Sequence, residues 1–141
     1  MKNKAILVFC SIIIIFILFN SCQTEQDIIY ARYYVNGKGF YEQHCQNCHS
    51  KDGLGLQALI PPLTDSIFLL KNKNKLACFV KQGMDHAIII NGKLYEGNMP
   101  AQTHLANIDI AAVITYVTNS FGNNQGLYDV KSADADLETC D

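Results

Sequence analysis

The chain has 141 residues, 49% of them hydrophobic, and 13 acidic against 11 basic side chains give a net charge of −2. That length holds one domain, small enough to call for a covalent staple or a bound cofactor beside its apolar core. A charge so near neutral, with no basic run among aromatics, excludes a nucleic-acid partner, and six cysteines are too many for a cytosolic domain that merely buries them.

Lys2 and Lys4 precede an apolar run from Ala5 to Phe19, followed by Asn20, Ser21 and Cys22. The run is shorter than the roughly 20 residues of a spanning helix, so residues 1–21 read as a secretory signal peptide cut after Ser21. Its end resembles the lipobox of bacterial lipoproteins, in which the cysteine after the cut is acylated. The resemblance implies lipidation at Cys22 and, through several acyl chains, attachment to a membrane surface. Plain secretion and an uncleaved anchor are the other readings. Residues 22–36 would then be a tether, and the protein an exported one facing the periplasm or the cell exterior.

From Gly37 onward Phe40, Tyr41, His44 and Cys48 recur three to four apart, the spacing of a helix. That helix runs into Cys45-Gln46-Asn47-Cys48-His49, the C-x-x-C-H signature of c-type haem attachment. Two thiols three positions apart on one helical turn reach the two vinyl groups of a porphyrin edge, and the adjacent imidazole of His49 reaches the iron. Chance would give the pattern only about 0.007 times in such a composition. A dithiol redox pair would sit after a strand in a βαβ pattern, which is not visible. A zinc site would need a second ligand pair at a usual spacing, also not visible.

A glycine-bearing loop, 53–59, follows, and Thr64 or Asp65 is placed to cap a short helix into Lys71. A second short helix from about Asn74 buries Leu76, Ala77 and Val80 and stops at Gly83. Ile88-Ile89-Ile90 and Leu94-Tyr95 flank Asn91-Gly92, the signal for a tight hairpin flap. Met99, in Gly97-Asn98-Met99-Pro100, lies far enough from His49 to approach the opposite face of a haem. A thioether there would close the iron and favour its reduced form. Met84 is the other internal methionine and reads as core filler, and His86 and His104 are rival iron ligands. Asn107 caps a last helix whose apolar stripe, Ile110, Val113, Ile114, Val117 and Phe121, ends at Gly122.

Cys10 leaves with the signal peptide, Cys22 takes lipid, and Cys45 and Cys48 take haem. The remaining pair, Cys78 and Cys140, suggests a disulfide that pins the tail in an oxidising compartment, with two separate thiols as the alternative. Lys71, Lys73, Lys75 and Lys81 cluster, while Asp129, Asp134, Asp136, Glu138 and Asp141 make the tail acidic. Such runs are solvated faces or a dipole that orients a redox partner.

With these motifs in place, residues 37–121 resemble a class I cytochrome c domain, in particular the small monohaem lipoprotein cytochromes of Gram-negative bacteria. The resemblance implies that Gly37 and Tyr41 meet Tyr116 where the first and last helices cross. Pro61-Pro62-Leu63 is similar to the family's P-x-L, which implies that the Pro61 carbonyl orients His49 and that Leu63 packs on the haem. The expectation is an all-α cytochrome c fold over residues 37–122 with a hairpin-like flap and a tail, 123–141. It carries one covalent haem c, with iron between His49 and Met99. The expected function is single-electron transfer between membrane-associated redox proteins, without catalysis. The alternative is a haem-bearing relay subunit of a dehydrogenase or oxidase complex.

Overall fold

The computed structural model describes Ser11 and residues 24–140. The expected lipidation site Cys22, the expected signal peptide apart from Ser11, and Asp141 lie outside the described residues.

Helix α1 spans Glu25–His44. It opens on a reciprocal cap: Asp27 N–H donates to Thr24 Oγ1 at 3.3 Å and Thr24 N–H donates to Asp27 Oδ2 at 3.2 Å, which satisfies two donors that a helix start otherwise leaves orphaned. Residues 25–36, expected as a tether, are therefore the first half of this helix. Two of the three tyrosines of that half have distant partners. The Tyr33 hydroxyl accepts from Val130 N–H at 3.2 Å, and the hydroxyls of Tyr34 and Ser120 share a hydrogen bond at 3.0 Å.

A one-turn helix, α2 (Gln46–His49), follows directly. Helix α3, Ser66–Lys71, is capped by Asp65, whose Oδ1 accepts from Ile67 and Phe68 N–H at 3.0 Å each. A 3-10 turn over Lys73–Lys75 leads into α4, Leu76–Gln82, which stops at Gly83. Strands β1 (Ile88–Ile90) and β2 (Lys93–Tyr95) pair antiparallel with Ile89 opposite Leu94. Their turn residues Asn91 and Gly92 both have positive φ, 52° and 72°, as the tight hairpin requires.

Helix α5, Asn107–Val117, buries every residue from Ile110 to Tyr116. Its N-cap is Ala106, whose N–H donates to Asp109 Oδ2 at 3.2 Å; Asn107, expected as the cap, instead donates through Nδ2 to Asp134 Oδ1 at 2.7 Å. The helix also stops before Phe121, which takes φ 57° in the following turn. The tail folds back as α6, Val130–Leu137, with Ala133 fully buried against the core. Asp129 caps it, accepting from Ser132 N–H at 2.9 Å. Cys78 on α4 is joined to Cys140 after α6, with Cα atoms 5.6 Å apart.

The main helix–helix interface is α1 against α5. At their crossing a methyl group on Gly37 would overlap the Ala112 carbonyl oxygen and stand 2.9 Å from Tyr116 Cβ, so only glycine lets the backbones approach so closely. Tyr41, 1% exposed, packs its ring against Tyr116 at a tilt of 49°, with 5.3 Å between centroids. The mainly helical architecture with one two-stranded sheet is consistent with a cytochrome c-like fold.

Candidate functional site

Beneath this crossing lies an apolar cleft whose walls come from α1, the 61–63 segment, α3, α4, the flap and α5. Cys45, His49, Pro61, Leu63, Met84 and Met99 all line it, and no charged side chain does. A smaller adjoining cleft shares His49, Pro61, Met84 and Met99 and adds Cys48 and His86. The two thiols occupy a single helical turn, in which Cys48 N–H donates to the Cys45 carbonyl at 3.1 Å. Cys45 is half-buried and Cys48 exposed.

Burial, with a smaller contribution from Cys48, pushes the Cys45 thiol up to about 11. A reactive dithiol pair needs the opposite shift, toward thiolate. Among the described residues no group of three His, Cys, Asp or Glu is placed to hold a metal, so the zinc reading has no second half.

His49 is 9% exposed, and its Nδ1 lies 3.2 Å from the Pro61 carbonyl oxygen. A carbonyl only accepts, so Nδ1 carries the proton. Burial lowers the imidazole's proton affinity against the opposing effect of the Pro61 hydrogen bond, which favours the neutral ring. In a neutral ring with Nδ1 protonated, Nε2 holds a free lone pair, the form that binds metal.

Pro61 is held in place by its neighbours. Gly55 N–H donates to the His49 carbonyl at 3.0 Å and Leu63 N–H to the Gly53 carbonyl at 2.7 Å. Asn123, 6% exposed, donates to the Leu63 and Val117 carbonyls at 2.8 and 3.0 Å and accepts from Ser66 Oγ at 2.6 Å. On the other side of the motif the Tyr41 hydroxyl donates to the Ser50 carbonyl at 2.6 Å.

Met84 and Met99 are paired across an antiparallel bridge, with Met84 N–H to Met99 O at 2.9 Å and Met99 N–H to Met84 O at 2.8 Å. Directly opposed residues of such a pair present their side chains to the same face, and both methionines border both clefts. Gly83, at φ +77°, allows the approach, since a methyl group there would overlap the Met99 carbonyl oxygen. His86 borders the smaller cleft; His104 instead packs its ring on His44, 4.9 Å away.

The model of the family described as cytochrome c oxidase, cbb3-type, subunit III matches residues 34–117, more than half of the chain. The chain belongs to the class I c-type cytochromes. It is 28% identical over 93 residues to a cytochrome c-552 of Thermus thermophilus, covering 63% of this chain and 70% of that protein. A second cytochrome c-552 of the same species matches at the same identity, with the alignment spanning 62% of its length. Cytochromes of this family attach haem c covalently and transfer electrons through its iron, which separates them from enzymes that transform a bound substrate. The residues around the cleft fit that group: apolar walls suit the macrocycle, and the thiols, imidazole and thioethers are the donors it uses.

Sequence reasoning left Met84, Asn123 and the Tyr41 hydroxyl out of the site. Met84 was hidden because the Met84–Met99 bridge is a long-range backbone pairing. Asn123 and Tyr41 act through backbone carbonyls, which leave no pattern of residue types. Some members of the charge runs also have fixed partners: Lys81 Nζ donates to the Thr103 and Leu105 carbonyls at 3.0 and 2.8 Å, and Asp136 accepts from the Tyr128 hydroxyl at 2.5 Å.

Proposed function

We propose that this protein is a monohaem cytochrome c that carries single electrons between membrane-associated redox proteins outside the cytoplasm. The observation that carries the reading is the convergence of Cys45, His49 and Met99 on one uncharged cleft, with the His49 tautomer fixed by Pro61. In this reading Cys45 and Cys48 would hold the haem by thioethers, His49 Nε2 and the Met99 sulfur would be the ligands to its iron, and Leu63 would pack on the ring. When bound, the haem supplies a metal that changes oxidation state by one electron without gaining or losing a ligand. The chain's own part would be to fix both ligands, exclude water with apolar walls, and leave no iron position open to a substrate. Lipid attachment at Cys22 would keep the carrier on a membrane surface facing the periplasm or the cell exterior.

The match to a family named for an oxidase subunit supports a second reading, in which the same domain is the relay subunit of an oxidase complex. Gentle detergent extraction separates the two: a carrier migrates alone, a subunit with its complex.

Denaturing electrophoresis with haem staining tests the attachment. The wild-type protein should keep its haem and the Cys45→Ala/Cys48→Ala double variant should lose it. Haem retained by the double variant would end the proposal, as would a purified wild-type protein without a c-type optical spectrum.

A further inference from the structure

Four tyrosines form an unbroken ladder from the cleft to the surface. Tyr41 lines the cleft. Its ring lies 5.3 Å from Tyr116, Tyr116 lies 5.2 Å from Tyr34, and Tyr34 lies 5.9 Å from Tyr30. Helix packing accounts for the inner pair, because Tyr41 and Tyr116 fill the crossing of α1 and α5. It does not account for the outer pair, Tyr30 and Tyr34, one helical turn apart on the half of α1 that precedes the crossing. The Tyr34 hydroxyl does bond Ser120, but that contact asks for no second ring at Tyr30, where an aliphatic side chain would pack as well. Phe121 also touches Tyr41 and Tyr116, at 5.3 and 5.7 Å, but a ring without a hydroxyl is far harder to oxidise and ends as a side branch.

We propose that Tyr41, Tyr116, Tyr34 and Tyr30 form a relay that delivers an electron from the cofactor cleft to small oxidising radicals that strike the N-terminal helix, and so protects the protein from them. The inference rests on the haem reading above. A radical X• takes a hydrogen atom from Tyr30, giving XH and a tyrosyl radical. One electron then moves outward along the ladder and one proton returns to the Tyr30 oxygen from water. Ferrous iron becomes ferric, and the sum is X• + H⁺ + Fe(II) → XH + Fe(III). The direction is downhill, because a tyrosyl radical is a strong oxidant and a ferrous cytochrome a ready donor.

The hydrogen bonds suit outward transfer. A phenol radical settles where its proton can leave, and Tyr41 donates its proton to the Ser50 carbonyl, which does not take it up. The oxidising equivalent therefore does not rest beside the cleft. Tyr34 shares its proton with the Ser120 hydroxyl, and Tyr30 at the outer end is only partly buried, where water gives and takes protons.

The test is pulse radiolysis of the reduced holoprotein with azide radical as the oxidant, which takes the electron and becomes azide while the phenol proton passes to water, following tyrosyl decay and haem oxidation together. In the wild type both should proceed at one first-order rate that does not change with protein concentration. Tyr34→Phe keeps the ring's shape and should slow that rate by an order of magnitude or more, whereas Tyr33→Phe, beside the ladder but outside it, should not. Tyr30→Phe, at the surface where folding is not at risk, should lower the yield of haem oxidised. An unchanged rate in Tyr34→Phe, an unchanged yield in Tyr30→Phe, or a wild-type rate that rises with protein concentration would overturn the relay while leaving the haem reading intact. A wild-type protein without covalent haem would overturn both.

Discussion

The Cα of Gly37 sits against the carbonyl of Ala112, and a methyl group added there would overlap that oxygen. Two effects compete in Gly37→Ala. Helix propensity favours alanine by about 1 kcal/mol, and overpacking at a tight contact costs about 1–3 kcal/mol. The overlap is with backbone, which cannot rotate away as a side chain can, so the steric cost should win. The denaturation midpoint of the holoprotein should fall, and a rise would show that the α1–α5 crossing is looser than described.

Elements set by local chemistry were legible in the sequence. Thr64 or Asp65 as a cap, resolved to Asp65 by the structure, Gly83 as a stop and Asn91-Gly92 as a hairpin each depend on residues within a few positions of one another. The first half of α1 was not legible, because what holds Tyr33 and Tyr34 lies at Val130 and Ser120. Helix α6 was missed for a similar reason: its acidic residues look like a solvated run until Asp129 is seen capping it and Asp134 and Asp136 are seen accepting from Asn107 and Tyr128. In the candidate site the donors were readable from C-x-x-C-H and Met99. The backbone carbonyls that orient them were readable only at Pro61, through a resemblance.

The bond between Cys78 and Cys140 closes a loop with a sequence separation of 62. In the chain-entropy model a loop of that size is worth about 4 kcal/mol, through restriction of the unfolded chain. Cys78→Ser/Cys140→Ser should therefore lower the unfolding free energy by a large part of that amount, with little change in the haem spectrum. Mass mapping under non-reducing conditions should find the two cysteines in one linked peptide. Full alkylation of both thiols in protein from an oxidising compartment would refute the pairing.

Asp129 offers a test by pH. Hydrogen bonds from the backbone and side chain of Ser132 hold its carboxyl below the usual carboxylate range. A lowered folded-state value means stability that is present above the unfolded value, about 3.9, and lost as pH falls through the folded one. Asp129→Ala should cost about 1 kcal/mol at neutral pH, as the loss of an N-cap does. The gap between wild type and variant should close as the solution is acidified below pH ~4. A gap unchanged at acid pH would mean that Asp129 acts other than through its charge.

The two methionines give the most discriminating comparison, because Met84 and Met99 border the same cleft from paired backbone positions. A thioether on ferric iron gives a weak far-red charge-transfer band and keeps carbon monoxide off the ferrous iron. If Met99 is the ligand, Met99→Ala should abolish the band, admit carbon monoxide and lower the reduction potential, since the preference for the reduced ion is lost. Met84→Ala should keep the band and cost about 2 kcal/mol of packing, at the low end for methionine because the side chain is only half-buried. The reverse result would move the ligand to Met84. Because the pair faces one way across a single bridge, Met99→Ala also offers Met84 a route to the iron. A band that survives in each single variant and vanishes only in Met84→Ala/Met99→Ala would identify either sulfur as competent. A wild-type protein with no band that binds carbon monoxide readily would remove both from the iron and point instead to a haem with a vacant position.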